Sequence, residues 1–114
     1  MMGLVRHLAT VERWYFQAVI AGESPDSLFD HESDEAFEHV DAATAHETFE
    51  IWRAEVAHSR RVTNTFELDA VSAIATQGHV VTLRWVLVHM IDEYARHLGH
   101  ADIVREAIDG VTGE

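Results

Sequence analysis

Apolar residues in the last third of the chain recur at alternating steps of four and three residues. The eight positions of this seam are Leu83, Leu87, Met90, Tyr94, His97, Ala101, Val104 and Ile108. Such spacing is typical of a helix that packs within a bundle, because side chains three and four residues apart share one helix face. Thr82 is a typical N-cap, and Gly110 is a typical residue just past a helix end. The pattern therefore predicts a helix capped by Thr82 that runs to about Ile108.

A second helix is predicted from about Asp41 to Thr63, because Phe49, Trp52 and Val56 recur on one face. Its N-cap is either Asp41 or a capping box formed by the segment Thr44 to Glu47. We interpret the three tryptophans of the chain as core or interface residues rather than as cofactor contacts. These are Trp14, Trp52 and Trp85.

The first helix is predicted from Leu4 to Ile20, and Gly22 follows its end. The segment 23–40 is rich in acidic residues, lacks arginine and contains a Ser-Pro-Asp turn signal, so we interpret it as a solvated acidic loop that could also serve as a lid. The segment Thr65 to Gly78 allows two structures, a short helix or a packed loop.

Three long helices without an alternating strand pattern or an internal repeat predict an all-α bundle. With 114 residues and no cysteine, the chain is expected to form one cytoplasmic domain over residues 1–114, free of disulfides. No apolar run is long enough to span a bilayer. The formal net charge of −12 argues against nucleic acid and anionic membranes as partners.

Glu93 and His97 lie four residues apart, so they project from the same face of the third helix, towards its apolar seam. A carboxylate there needs a partner, because burying an unpaired charge costs several kcal/mol. The partner could be a divalent metal, or the two side chains could pair with each other or with an arginine as a structural contact. His89 and His100 lie on the same side and could be ligands, neighbours that orient the ligands, or rim residues.

His7 lies at the edge of the apolar stripe of the first helix, where it is either a packed histidine or a further ligand. Other catalytic patterns are absent from the sequence: there is no phosphate-binding glycine loop, no His-Glu-x-x-His motif and no Gly-x-Ser-x-Gly elbow. Because the chain has no cysteine, any thiol chemistry requires an external thiol.

Three blocks of sequence resemble the DinB-like superfamily. They run from Gly3 to Trp14, from Phe49 to Val56 and from Thr82 to Asp102, and the last block is the most specific. The closest branch is an actinobacterial domain of unknown function related to mycothiol-dependent maleylpyruvate isomerase. The resemblance covers nearly the whole chain.

The resemblance implies a four-helix bundle that holds a divalent metal, zinc or nickel, with His7, Glu93 and His97. It places His100 just after His97, the last of the three ligands, so His100 would contact the ligands rather than the metal. By analogy the protein would be a thiol S-transferase or isomerase of the mycothiol type, in which a metal-bound thiolate attacks an electrophilic substrate. The alternative is a helical module without catalytic activity that binds metal or only supports dimerisation.

The sequence departs from these relatives because they have a further helix before Gly3. A four-helix bundle that lacks its first helix would expose an apolar groove. We expect the segment Thr65 to Gly78 or a second copy of the chain to fill it, and we predict a homodimer on this ground.

Overall fold

Helices account for most of the residues that the structure, a computed structural model, describes, which are 2–29 and 42–113. Helix α1 spans Met2–Glu12 and continues as a π-helical segment, Arg13–Ile20. Helix α2 spans Ala42–Thr65, and α3 spans Leu83–Asp109. Within the described residues β-structure is limited to two isolated bridges. The predicted all-α bundle is therefore confirmed.

Helix α3 begins and ends where its caps predict. The Thr82 hydroxyl accepts a hydrogen bond from the backbone N–H of Trp85, which satisfies one of the free donors of the first turn. Gly110 adopts a left-handed conformation with φ of 73°, and its N–H donates to the carbonyl of Glu106. No helix among the described residues combines the length and the hydrophobicity that crossing a lipid bilayer requires.

Helix α1 and its π-helical extension run antiparallel to both α2 and α3. For α2 this follows from Glu12 reaching Ser59 while Gln17 reaches Glu55. For α3 it follows from His7 lying next to Glu93 while Tyr15 packs against His89. The described core is built around the π-helical segment, and its buried members are Tyr15, Phe16, Val19, Ile20, Val62, Val81, Leu83, Val86 and Met90. The core thus lies where the first helix, the end of α2 and the start of α3 meet.

The π-helical segment corrects the prediction of one uninterrupted α-helix from Leu4 to Ile20. Six consecutive residues, from Tyr15 to Ile20, are buried, so this segment is enclosed by other parts of the chain on every side. The Val19 carbonyl accepts hydrogen bonds from the N–H groups of Ala73 and Ile74, which belong to a distant loop. This carbonyl belongs to the last turn, where it has no partner within the helix, so the two bonds satisfy it and attach the loop to the end of the segment. The apolar spacing of the sequence does not reveal such tertiary contacts.

The segment Thr65 to Gly78 is a packed loop, which resolves the ambiguity of its sequence. It ends in a tight turn in which Thr76 and His79 exchange both backbone hydrogen bonds. The two central residues, Gln77 and Gly78, have φ of 51° and 80°, as a type I′ turn requires. The loop covers the end of the bundle beside the π-helical segment.

An open groove of about 750 Å³ lies between α2 and α3, and Glu12 and Phe16 also line it. Its walls come from Val56, Ser59, Arg60, Thr63 and Asn64 of α2 and from Leu87, Met90, Ile91, Tyr94, Ala95 and Leu98 of α3. No residue of the loop after α2 lines this groove, so the expectation that the segment Thr65 to Gly78 fills it is wrong.

Several finer expectations also need correction. The Thr44 capping box is wrong because α2 already begins at Ala42, which places Thr44 inside the helix. The seam of α3 is buried only in its first half, since Ile108 is 80% exposed. Trp14 and Trp85 are 45% and 37% exposed, so neither is a buried core residue, and their expected role in an interface stays a prediction. The proposed Asp41 cap and most of the acidic loop fall within residues 30–41, outside the described residues.

We predict that Gly22→Ala destabilises the fold more than Gly110→Ala. Both glycines have positive φ, which costs about 1 kcal/mol for alanine. A Cβ at Gly22 would also approach the Ala73 Cβ to 2.9 Å, whereas a Cβ at Gly110 meets nothing. Urea denaturation should show a loss of roughly 2–3 kcal/mol for Gly22→Ala. Equal losses for the two variants would contradict the close packing of the loop on the first helix.

Candidate metal centre

The antiparallel packing of α1 and α3 brings His7, Glu93 and His97 together. His7 Nε2 lies 3.6 Å from Glu93 Oε2, and His97 Nε2 lies 3.3 Å from the same oxygen. The rings of the two histidines have centroids 4.4 Å apart and meet edge to face. One potential ligand atom from each of the three residues lies within 4.8 Å of those from the other two.

This geometry fits the ligand set of a divalent ion. Ligand atoms bound tetrahedrally at about 2.1 Å from one ion are separated by about 3.4 Å. The two nitrogen-to-oxygen distances are close to this value and exceed the usual 2.7–3.2 Å of an N–H···O hydrogen bond. Each histidine nitrogen is therefore spaced from the carboxylate oxygen as two ligands of a common ion would be.

The site opens to solvent on the side of α1. The His7 side chain is 48% exposed, whereas those of Glu93 and His97 are 16% and 21% exposed. A carboxylate and an imidazole are thus partly shielded from water, which strengthens their interaction with a cation. The exposed histidine leaves a path by which a small molecule can reach the same point.

His89 contacts the other oxygen of Glu93. Its Nε2 lies 3.5 Å from Glu93 Oε1, and its side chain is 18% exposed. The imidazole stacks on Trp85 with ring centroids 4.8 Å apart and planes 7° from parallel, and Tyr15 packs against it at 4.8 Å. These aromatic neighbours hold His89 in place, so the carboxylate presents its second oxygen to His7 and His97.

His100 lies further from the cluster. It is exposed, and its ring centroid is 5.8 Å from that of His97. It borders a small cavity of about 100 Å³ together with Leu4, Ala101 and Val104. His100 therefore belongs to the rim of the site.

A buried carboxylate next to the site ties all three helices together. Glu12 of α1 is 7% exposed, and its Oε2 accepts a hydrogen bond of 2.5 Å from the Ser59 hydroxyl of α2. Its Oε1 accepts a bond of 2.8 Å from the Tyr94 hydroxyl of α3. Trp52 of α2 in turn donates its indole N–H to the Tyr94 oxygen at 2.8 Å. Because Tyr94 directly follows Glu93, this network sets the rotation of α3 that turns Glu93 towards His7.

Burial raises the pKa of the Tyr94 hydroxyl well above its ordinary value. The hydrogen bond from Trp52 acts in the opposite direction, while the hydrogen bond to Glu12 and the charge of that carboxylate raise the pKa further. Tyr94 therefore keeps its proton at neutral pH and remains a donor to Glu12.

A second buried carboxylate, Glu55 of α2, reinforces the contact with the first helix. Its Oε2 accepts a hydrogen bond of 2.6 Å from Gln17, and its Oε1 accepts one of 2.7 Å from Arg13. Arg13 also donates to the Asp26 carbonyl at 2.7 Å, which fastens the chain after the first helix.

Sequence reasoning missed both buried carboxylates. A signal for Glu12 is nevertheless present, because it lies four residues after Leu8 and four before Phe16, in the middle of an apolar face. Tyr94 was assigned to the apolar seam, and the role of its hydroxyl depends on a partner 82 residues away.

A family model for mycothiol-S-transferases matches residues 1–110 of the chain. The chain belongs to the mycothiol-S-transferase family. This assignment confirms the DinB-like, mycothiol-related family indicated by the sequence. Comparison with curated proteins and with solved structures gave no match. In this mycothiol-S-transferase family member, the convergent His7, Glu93 and His97 are the side chains that the resemblance singles out.

We predict that Tyr94→Phe lowers the free energy of unfolding by about 1–3 kcal/mol, because it removes a donor from the buried Glu12 and leaves the Trp52 N–H without its acceptor. Urea denaturation measures this loss. Tyr15→Phe is the matched control, since the Tyr15 hydroxyl makes only a 3.5 Å contact with Gln77. Similar losses for the two variants would show that the network does not stabilise the bundle.

Proposed function

We propose that the protein is a divalent-metal-dependent thiol S-transferase that uses a low-molecular-weight thiol of the mycothiol type. The observation that carries the proposal is the convergence of His7, Glu93 and His97 in a chain of the mycothiol-S-transferase family. Zinc and nickel both suit two imidazoles and one carboxylate. When bound, the ion supplies a positive charge that lowers the pKa of a nearby thiol.

In this proposal the three ligands differ in their tasks. Glu93 and His97, both on α3, form the fixed half of the site, and His7 closes it from α1. Three protein ligands leave at least one position open, as a catalytic site requires. His89 lies 3.5 Å from the second oxygen of Glu93 and would help to orient the carboxylate that holds the ion. In this proposal α3 positions two of the ligands, and the exposed side of the site next to His7 gives the reactants access.

The exposed rim is where the thiol and its acceptor would meet. The small cavity beside His100 is lined by Leu4, Ala101 and Val104, which suits an apolar portion of one reactant. The sulfur of the thiolate attacks an electrophilic carbon of the acceptor. In a substitution a C–S bond forms, the bond to the leaving group breaks with its electron pair, and the thiol proton passes to water.

The proposal also includes a homodimer. The groove between α2 and α3 leaves apolar side chains of α3 in water, among them Ile91 and Leu98, which are 70% and 56% exposed. Contiguous apolar surface of this kind is typical of an interaction site.

We predict that Glu93→Leu lowers the affinity for zinc or nickel at least about 100-fold, because it removes one ligand and the only negative charge among the three. Isothermal titration calorimetry on the metal-free protein measures this affinity. Glu106→Leu, an exposed glutamate on the same helix, is the control and should leave the affinity unchanged.

The stability of the same variant shows whether Glu93 is a metal ligand or part of a structural ion pair. If Glu93 serves the metal, metal-free Glu93→Leu should melt close to the metal-free parent, since replacing a partly buried carboxylate with an apolar residue is often neutral. A much lower melting temperature would assign Glu93 to a structural contact with the histidines instead.

We further predict that the metal-loaded protein accelerates the transfer of mycothiol to a chloromethyl fluorophore, with release of chloride. His7→Ala should abolish this acceleration, whereas His79→Ala, an exposed histidine outside the site, should retain it. Fluorescence of the conjugate gives the rate, and free metal plus thiol gives the background. Tight metal binding without any acceleration by mycothiol or other small thiols would support the alternative, a metal-binding module without catalytic activity.

A further inference from the structure

Helix α3 carries an exposed apolar stripe that forms part of the wall of the groove. Its members are Val88, Ile91, Ala95 and Leu98, which follow one another at steps of three, four and three residues. All four are exposed, with Val88 62% and Ile91 70% accessible to solvent. This is the spacing of a helix-packing seam, yet within the described residues no helix covers it. The stripe lies on the flank of α3 that faces away from Glu93 and His97.

The stripe is bracketed by two opposite charges on the same face. Arg84 precedes Val88 by four residues, and Asp102 follows Leu98 by four residues. Arg84 contacts Asp69 at 3.0 Å through Nη2, and its Nη1 is left for another acceptor. The neighbouring acids Asp92 and Asp109 pair with arginines of α3, whereas Asp102 has no cationic partner among the described residues.

The apolar stripe and its two flanking charges are arranged symmetrically about residue 93. This symmetry indicates that the surface is covered by a second copy of the same helix. Val88 and Leu98 lie five residues on either side of the centre, Ile91 and Ala95 lie two residues away, and the two charges lie nine residues away. In an antiparallel pair of α3 helices centred at residue 93, Val88 of each copy would lie opposite Leu98 of the other copy. Ile91 of each copy would likewise lie opposite Ala95 of the other. Each Arg84 would face an Asp102, at both ends of a contact about 27 Å long.

The antiparallel direction of such a helix pair also fits the groove between α2 and α3. Helices α2 and α3 both run antiparallel to the first helix, so they run parallel to each other. A helix that covers the space between them is antiparallel to both when it follows the usual arrangement of bundles. The small side chain of Ala95 lets a second helix approach closely, and Ile91 and Leu98 of that helix match the apolar walls of the groove.

We infer that two copies of this chain pair through antiparallel α3 helices, with Val88, Ile91, Ala95 and Leu98 as the apolar seam and Arg84–Asp102 contacts at both ends. The pairing is self-complementary, so it closes with two copies and does not propagate. The inference specifies the surface of the proposed homodimer. It does not depend on the metal centre, which lies on the other flank of α3.

The first experiment compares two isoleucines of α3 that are almost equally exposed. Ile91 is 70% and Ile103 is 66% exposed, and the latter is rotated about 120° from Ile91 around the helix. Sedimentation equilibrium of the intact protein should show a dimer, and Ile91→Glu should raise its dissociation constant at least about 100-fold, because each dimer would bury two unpaired carboxylates. Ile103→Glu should leave the dissociation constant unchanged.

The second experiment tests the register through its charges. Arg84→Glu and Asp102→Arg should each weaken the dimer about tenfold, since each places like charges together at both ends of the pair. The double variant Arg84→Glu/Asp102→Arg restores opposite charges and should recover the parental constant to within about threefold. A variant that merely disturbed the fold would not be rescued by the second substitution.

Two results would overturn the inference. A monomer of 12.9 kDa at all concentrations up to about 100 μM would show that α3 does not pair with itself. A dimer that resists Ile91→Glu would show that another surface mediates association. Zinc titration of the same samples should give the parental affinity throughout, so a failed metal site and a failed interface are distinguishable.

Discussion

The hydrogen bonds to the buried Glu12 carboxylate are the interaction on which the arrangement of the helices depends. One oxygen is held by Ser59 of α2 and the other by Tyr94 of α3, so a single side chain of α1 joins three elements. A carboxylate in such surroundings is tolerated only while its donors remain in place. The network therefore specifies one rotation of α3 more strictly than apolar contacts alone would, because apolar contacts have no direction.

That rotation divides α3 into two flanks with different chemistry. On one flank Glu93 and His97 face His7, and His89 lies wedged between Trp85 and Tyr15. The other flank carries the exposed stripe around Ile91 and faces the groove. A site for a cation and a site for a helix can thus coexist on one element. In our proposal the first holds the metal and the second holds a second copy of the chain.

The sequence predicts what depends on local patterns. The caps Thr82 and Gly110 bound α3 as expected, and the four-residue spacing places Glu93 and His97 on one face. His7 was assigned to the site through family resemblance, since its distance from α3 depends on the packing of two helices. The π-helical segment could not be predicted, because its apolar residues have the spacing of an α-helix and it packs against residues of α2, α3 and the loop after α2. The Glu12 network could not be predicted either, because its four side chains come from three separate helices.

Cobalt substitution tests whether an external thiol reaches a metal held by His7, Glu93 and His97, as we propose. Cobalt(II) in a four-coordinate site absorbs visible light more strongly than hydrated cobalt(II) does, and a thiolate that binds it adds an intense charge-transfer band in the near ultraviolet. We expect the cobalt-loaded protein to show the visible spectrum of a four-coordinate ion. Addition of mycothiol should then produce the charge-transfer band. A cobalt spectrum that mycothiol leaves unchanged at saturating concentration would contradict the proposal.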